Sequence, residues 1–280
     1  MLKYFNRNRL LILSWVLMLA VLVNYPSTAK ADKKPVQPIL FNPSEIDVAT
    51  IYETTAESQK GAMSTIAKTS KTLYKKNPGF DGFAVLGSKD GNKIIVLSQW
   101  KDKKSYQAYT EQPVEDYKTK YADYKSKFSD SATEDYKSKY ADKKSKEATP
   151  TIEPYKTIIF ELEKTHPLSL VAALRKESVV QLSHYTIKDS ETETEVLDFV
   201  EKLIPTASEM IPAPRTVMLL KSSDNKEIAL LASWSCSADF EGLETPPSFA
   251  ELPQDLVPAA DNEQHLYEVL KIIPPPPPEP

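Results

Sequence analysis

The sequence predicts an α+β fold: two βαββαβ halves whose antiparallel four-stranded sheets pack face to face and close a barrel within one chain. Three observations carry this. Val85–Trp100 (VLGSKDGNKIIVLSQW) aligns without a gap with Leu219–Trp234 (LLKSSDNKEIALLASW) at an offset of 134. Six of the sixteen pairs are identical: Leu86/Leu220, Ser88/Ser222, Asp90/Asp224, Ile94/Ile228, Leu97/Leu231 and Trp100/Trp234. Each stretch reads strand, tight turn, strand, and the same element order surrounds both, so one small domain occurs twice. Lastly, the third strand of each half is apolar on both faces. Ile94 and Val96 alternate with Ile95 and Leu97, as Ile228 and Leu230 do with Ala229 and Leu231. A sheet with helices on one side only should alternate polar and apolar. The second apolar face needs a cover, and the other half's sheet is the economical one.

The elements follow in order. Lys3, Arg7 and Arg9 precede an apolar run, Leu10 to Val23, and Ala29-Lys30-Ala31 is a small-x-small cleavage site. Residues 1–31 therefore read as a signal peptide, with export after cleavage near Ala31. The alternative is a membrane anchor over residues 10–23, although fourteen helical residues span only about 21 Å of a ~30 Å hydrocarbon core. Residues 32–46, with Pro35, Pro38 and Pro43, read as a linker. The first half, 47–165, is strand Ala49–Thr55, helix Glu57–Lys76, strands Phe80–Ser88 and Lys93–Trp100, a helix from Lys103, and strand Tyr155–Glu163. Met63, Ile66, Ala67, Leu73 and Tyr74 form the apolar stripe of its first helix. Asn77-Pro78-Gly79 ends that helix, and Asp90-Gly91-Asn92 makes the hairpin turn. Residues 166–178 read as a connecting helix. The second half, 179–273, repeats the order: strand Val180–Ile187, helix Glu191–Met210, strands Thr216–Ser222 and Glu227–Ser235, helix Ala238–Leu243, strand Leu266–Ile273. Ser190 with Glu193 reads as a capping box. Residues 274–280 are almost pure proline, a polyproline II tail.

Within residues 111–148 of the first half lies another repeat. EDYKTKYADYKSK (Glu115–Lys127) recurs as EDYKSKYADKKSK (Glu134–Lys146), with eleven of thirteen residues identical. Tyr117, Tyr121, Tyr124 and Phe128 share one helical face, and Asp116/Lys120 and Asp123/Lys127 are i,i+4 pairs, so the insertion reads as a helical extension of the second helix, the alternative being a disordered charged spacer.

Composition excludes several function classes. Losing residues 1–31 removes four cations and no acid, moving the formal charge from −4 to −8. An acidic chain is a poor partner for nucleic acid or anionic lipid, so membrane contact is expected only through an uncleaved N-terminal segment. The single cysteine, Cys236, rules out an internal disulfide and reads as a buried strand thiol. Three scattered histidines, His166, His184 and His265, do not make a metal site. No phosphate-cradling or dinucleotide motif is present. His184 alternates with Leu182 and Thr186 and reads as a barrel-wall residue.

Pro78–Tyr109 (PGFDGFAVLGSKDGNKIIVLSQWKDKKSYQAY) resembles the core of an antibiotic biosynthesis monooxygenase (ABM) domain. It runs from Pro-Gly-Phe into a strand, through a hairpin, to a strand ending SQW and a helix with an aromatic six residues on. The second half is similar through Ser233-Trp234 and Phe240. The resemblance implies ferredoxin-like domains of the dimeric α/β-barrel superfamily, here as a tandem pair, hence a monomer with an intrachain pseudo-dimer. It also implies cofactor-independent oxidation of an aromatic or polyketide-like molecule, without metal, flavin or haem. Trp100 and Tyr106 match catalytic-pocket positions, and Tyr52, Tyr109, His184, Trp234 and Phe240 are the accompanying binding candidates. An asparagine often found four residues before the tryptophan is replaced by Val96, and by Leu230 in the second half. Haem-degrading relatives need a histidine on the second helix, and neither half has one there. The alternative is an exported, non-catalytic binding or scaffold protein that kept the fold.

Overall fold

The computed structural model describes residues 36–74, 77–111, 153–166, 172–243, 245, 247–249 and 251–274. Its strands are β1 (Ile39–Leu40), β2 (Ile46–Glu53), β3 (Phe80–Ser88), β4 (Lys93–Trp100), β5 (Lys156–Thr165), β6 (Ala173–Leu174), β7 (Val179–Ile187), β8 (Thr216–Ser222), β9 (Glu227–Trp234) and β10 (Ala260–Ile273). Helices are α1 (Gln59–Tyr74), α2 (Lys103–Thr110), α3 (Glu193–Ser208) and α4 (Ser237–Glu241). Eight strands form one closed antiparallel barrel in the order β10-β3-β4-β2-β5-β8-β9-β7. The order β5-β2-β4-β3 recurs as β10-β7-β9-β8, so the same arrangement is present twice. Closure occurs at two equivalent seams. Each half's last strand pairs with its own first strand and then continues onto the second strand of the other half: β5 onto β8, β10 onto β3.

Strand alternation sorts the apolar residues into an inside and two outsides. Ala49, Leu86, Ile95, Leu97, Phe160, Leu220, Leu231 and Tyr267 belong to a core cluster inside the barrel that draws on both halves. Ile94, Val96 and Trp100 face outward under α1 and α2, and Ile228, Leu230 and Trp234 do so under α3 and α4. The doubly apolar strands thus serve one core on each face. α1 buries Ala62, Ile66 and Ala67, with Met63 half-buried; α3 buries Val196, Val200, Ile204 and Ala207. The two hairpin turns share a device: Ser88 Oγ donates to Asp90 Oδ1 at 2.6 Å and Ser222 Oγ to Asp224 Oδ1 at 2.7 Å.

Several sequence expectations change. The 32–46 linker is structured from Ile39: β1 pairs with β6, and Ile39, Phe41, Ala172 and Leu174 are buried in the barrel cluster. This ribbon stoppers one end of the barrel. The connecting helix expected over 166–178 is not formed in its described part, where Ala173–Leu174 is strand and Lys176–Glu177 a turn. Pairing with β1 satisfies that backbone instead. The last strand begins at Ala260 rather than Leu266, because residues 260–268 pair with β7 in continuous register. The capping box is replaced by Asp189, whose carboxylate accepts from Glu191 N at 3.0 Å and caps a 3₁₀ turn ahead of α3. Cys236 is half-buried just beyond β9, at the N-cap of α4. The signal peptide, the Tyr/Lys repeat beyond Glu111 and the proline tail after Pro274 lie outside the described residues.

Candidate functional site

The sequence candidates fall into three separate places. Trp100 sits at the end of β4 on the helix side, with no exposed surface. α2 arches over it because Asp102 caps that helix, accepting from Ser105 N and Ser105 Oγ, both at 2.7 Å. The cap sets the spacing that brings Tyr106 and Tyr109 against the indole. Their ring centroids lie 5.4 and 5.1 Å from it, and Phe80 closes another side at 5.6 Å. Tyr52 is half-buried in the same cluster. The indole N–H donates to Ser98 Oγ at 3.0 Å, so its one polar atom is committed within the strand. Val96 is fully buried beneath and offers no polar group. Burial raises the pKa of Tyr52, Tyr106 and Tyr109, the last to about 12, so all three phenols stay protonated at neutral pH.

Trp234 is the counterpart in the second half and is equally buried. Phe240 meets it edge-on at 5.1 Å, and the Trp234 indole N–H donates to Pro212 O at 3.0 Å. The structure brings Trp100, Tyr106, Tyr109 and Tyr52 together and Trp234 with Phe240, but joins neither group to His184.

His184 is on β7, facing into the barrel at the end opposite the β1/β6 stopper. A narrow apolar cavity of ≈ 40 Å³ lies below it, walled by Ala49, Ile95, Leu97, Phe160 and Leu231. That exceeds what a water needs and falls well short of the roughly 150 Å³ that admits benzene. Around the mouth stand charged groups missed in the sequence: Lys93, Lys156, Glu227 and Glu263. Lys93 Nζ meets Glu263 Oε2 at 2.5 Å, and Lys156 pairs with Glu227. His184 Nε2 lies 2.7 Å from Glu227 Oε2, an ion pair rather than an aligned hydrogen bond, and its Nδ1 lies 3.6 Å from Glu263. Burial alone would lower the His184 pKa, but Glu227 and Glu263 outweigh it and hold it above the ordinary value. Glu227 would likewise be raised by burial, yet His184 and Lys156 bring it down to about 2. His184, His265 and Lys93 hold Glu263 below the carboxylate range as well. One signal for this cluster was available: Lys93 aligns with Glu227 in the internal repeat, a charge reversal at equivalent positions.

Among the described residues no cluster of three or more His, Cys, Asp or Glu side chains has the geometry to hold a metal ion. The arrangement offers buried aromatic packing at both tryptophans and a polar, ion-paired recess at the barrel mouth.

No family model and no curated protein sequence matches the chain. Solved structures do. One described as an anthrone oxidase-like protein is 12% identical with a TM-score of 0.54, covering 85% of this chain and 96% of that one. A candidate monooxygenase from Fusobacterium nucleatum is 11% identical with a TM-score of 0.47, covering 82% and 94%. An uncharacterized ferredoxin fold protein from Listeria monocytogenes, related to antibiotic biosynthesis monooxygenases, is 9% identical with a TM-score of 0.37, covering 81% and 95%. At such identities a likeness speaks of fold alone, and the first of the three shows it: the chain shares the α+β barrel fold of that anthrone oxidase-like protein.

Proposed function

We propose that the chain is an exported, tandem ABM-like protein, two ferredoxin-like halves in one polypeptide, that binds a small molecule without oxidising it. One observation carries the reading: both tryptophans are fully buried, with their N–H groups committed to Ser98 and to Pro212. Cofactor-independent oxygenation requires a dry pocket that admits a phenol, and a group that takes the phenol's proton. At Trp100 aromatic rings occupy the space, Val96 supplies no polar atom, and the surrounding tyrosines remain neutral acids. The recognition groups in this reading stand at the barrel mouth, around His184.

A second reading, a cofactor-independent monooxygenase acting on an aromatic or polyketide-like molecule, keeps one observation in its favour. Tyr52, Tyr106 and Tyr109 converge on Trp100 while still only half-buried. Oxygen uptake with an anthrone-type phenol separates the two. Binding without oxidation predicts uptake equal to the protein-free rate. Uptake that slows in Trp100→Phe or Tyr106→Phe would establish the monooxygenase instead.

A further inference from the structure

A second recess lies at the stoppered end of the barrel, against the β1/β6 ribbon, with a volume of ≈ 740 Å³. Beyond residue 31 the sequence contains only two arginines, Arg175 and Arg215, and both line this recess. The chain otherwise uses lysine for every cation in that span. Arginine differs from lysine in presenting a planar fork of donors that matches a carboxylate or phosphate edge to edge.

Both arginines stand on fixed backbone. Arg215 N donates to Ser233 O at 2.7 Å. The turn bearing Arg175 is tied down where Ser178 N donates to Arg175 O at 3.2 Å and Glu177 N to Val269 O at 2.8 Å. Arg215 Nε donates to Ser235 Oγ at 3.0 Å, which orients the guanidinium while using only its inner nitrogen. Among the described residues neither guanidinium is ion-paired to a carboxylate, so neither charge is neutralised by a salt bridge within the fold. Pro212, Ala213 and Pro214, the segment leading into Arg215, form an apolar and conformationally restricted wall of the recess. Trp234 holds that wall through its hydrogen bond to Pro212 O. Asp239 also lines the recess, leaving one net positive charge from three ionised groups.

We infer that this recess is a binding site for a small organic monocarboxylate, its carboxylate held by Arg175 and Arg215 and its short apolar body laid on the Pro212–Pro214 wall. The single net charge favours a monoanion over a phosphate dianion, and the proline wall favours an organic acid over a bare ion. The inference stands apart from the oxygenation question, because no atom of the Trp100 cluster takes part. In a chain of net negative charge, the recess is a local exception to the overall field.

The test is titration calorimetry on the full chain with benzoate, with inorganic phosphate and chloride as separate arms. Benzoate is expected to bind more tightly than either, with an affinity that falls as salt rises. Arg175→Gln and Arg215→Gln are both exposed changes that should leave the melting temperature in place while raising the benzoate Kd at least about tenfold each, the loss of one charge-assisted contact. Arg215→Lys should recover little, since a lysine cannot present the fork. Benzoate binding no tighter than chloride, tighter binding of phosphate than of benzoate, or benzoate binding unchanged in both Gln variants would overturn the assignment.

Discussion

At the scale of single residues, the six identities of the internal repeat sort by task. Ser88/Ser222 and Asp90/Asp224 build the two turns, Leu86/Leu220 and Leu97/Leu231 face the shared barrel core, and Ile94/Ile228 and Trp100/Trp234 face the helices. Asp47 breaks the pattern. It is fully buried inside the barrel beneath the stopper, Gln99 Nε2 donates to its Oδ1 at 3.0 Å, and Oδ2 has no partner. Burial raises its pKa to about 7, partly offset by the Gln99 bond and reinforced by Glu45. A carboxyl whose folded pKa is raised binds its proton in the folded chain at pH values where the unfolded chain has lost it. Stability therefore falls as pH rises from about 4 to about 7. Asp47→Asn, which keeps the acceptor and removes the charge, should be more stable than the parent at pH 8 by on the order of a few kcal/mol, with the gap closing near pH 4. Denaturant melts at the two pH values check this; a gap that does not change with pH would show that Asp47 is not the buried acid described.

At the scale of elements, the seams are what single-strand reading cannot supply. Strand alternation was legible because both faces of β4 and β9 are apolar, and that pattern requires a cover on each side. The stopper was not: Ile39-Leu40 and Ala173-Leu174 are too short to show a period, and three nearby prolines make the first look like linker. The start of β10 was hidden likewise, since Ala260–His265 is polar where it pairs with the mouth end of β7. The charges at that mouth follow a rule across the seams. Lys93 and Lys156 come from the first half, Glu227 and Glu263 from the second, and Lys93 and Glu227 occupy equivalent repeat positions. Each pair joins one half to the other. A half packed on its own copy would place lysines together, or glutamates, a like-charge penalty that directs the two halves to each other. Lys93→Glu should cost about 1–2 kcal/mol, discounted for the solvent that reaches this pair, and adding Glu263→Lys should recover most of it. A double-mutant cycle in urea measures the coupling; strict additivity would show that the two charges do not interact.

At the scale of the whole molecule, the fold and the position of the tryptophans were legible, and the function was not. Trp100 stood out because it ends a strand that precedes a helix carrying Tyr106. Whether that corner holds a ligand or is packed solid depends on α2, whose Asp102 cap sets how closely Tyr106 and Tyr109 descend on the indole. Packing of that kind leaves no periodic trace in the sequence. His184 was found by alternation, but its partners Glu227 and Glu263 lie on β9 and β10, distant in sequence and brought beside it only by the pairing of those strands with β7. The Arg175/Arg215 recess, by contrast, was readable in composition, as the two arginines that remain past residue 31.

Both tryptophan corners are closed to solvent. Tryptophan fluorescence of the full chain carrying Trp15→Phe, so that Trp100 and Trp234 alone report, measures that closure. Emission is expected to be blue-shifted, quenched little by acrylamide and unchanged on adding an anthrone-type phenol. Red-shifted emission that acrylamide quenches freely, or that the phenol alters, would contradict it and open the Trp100 corner to chemistry.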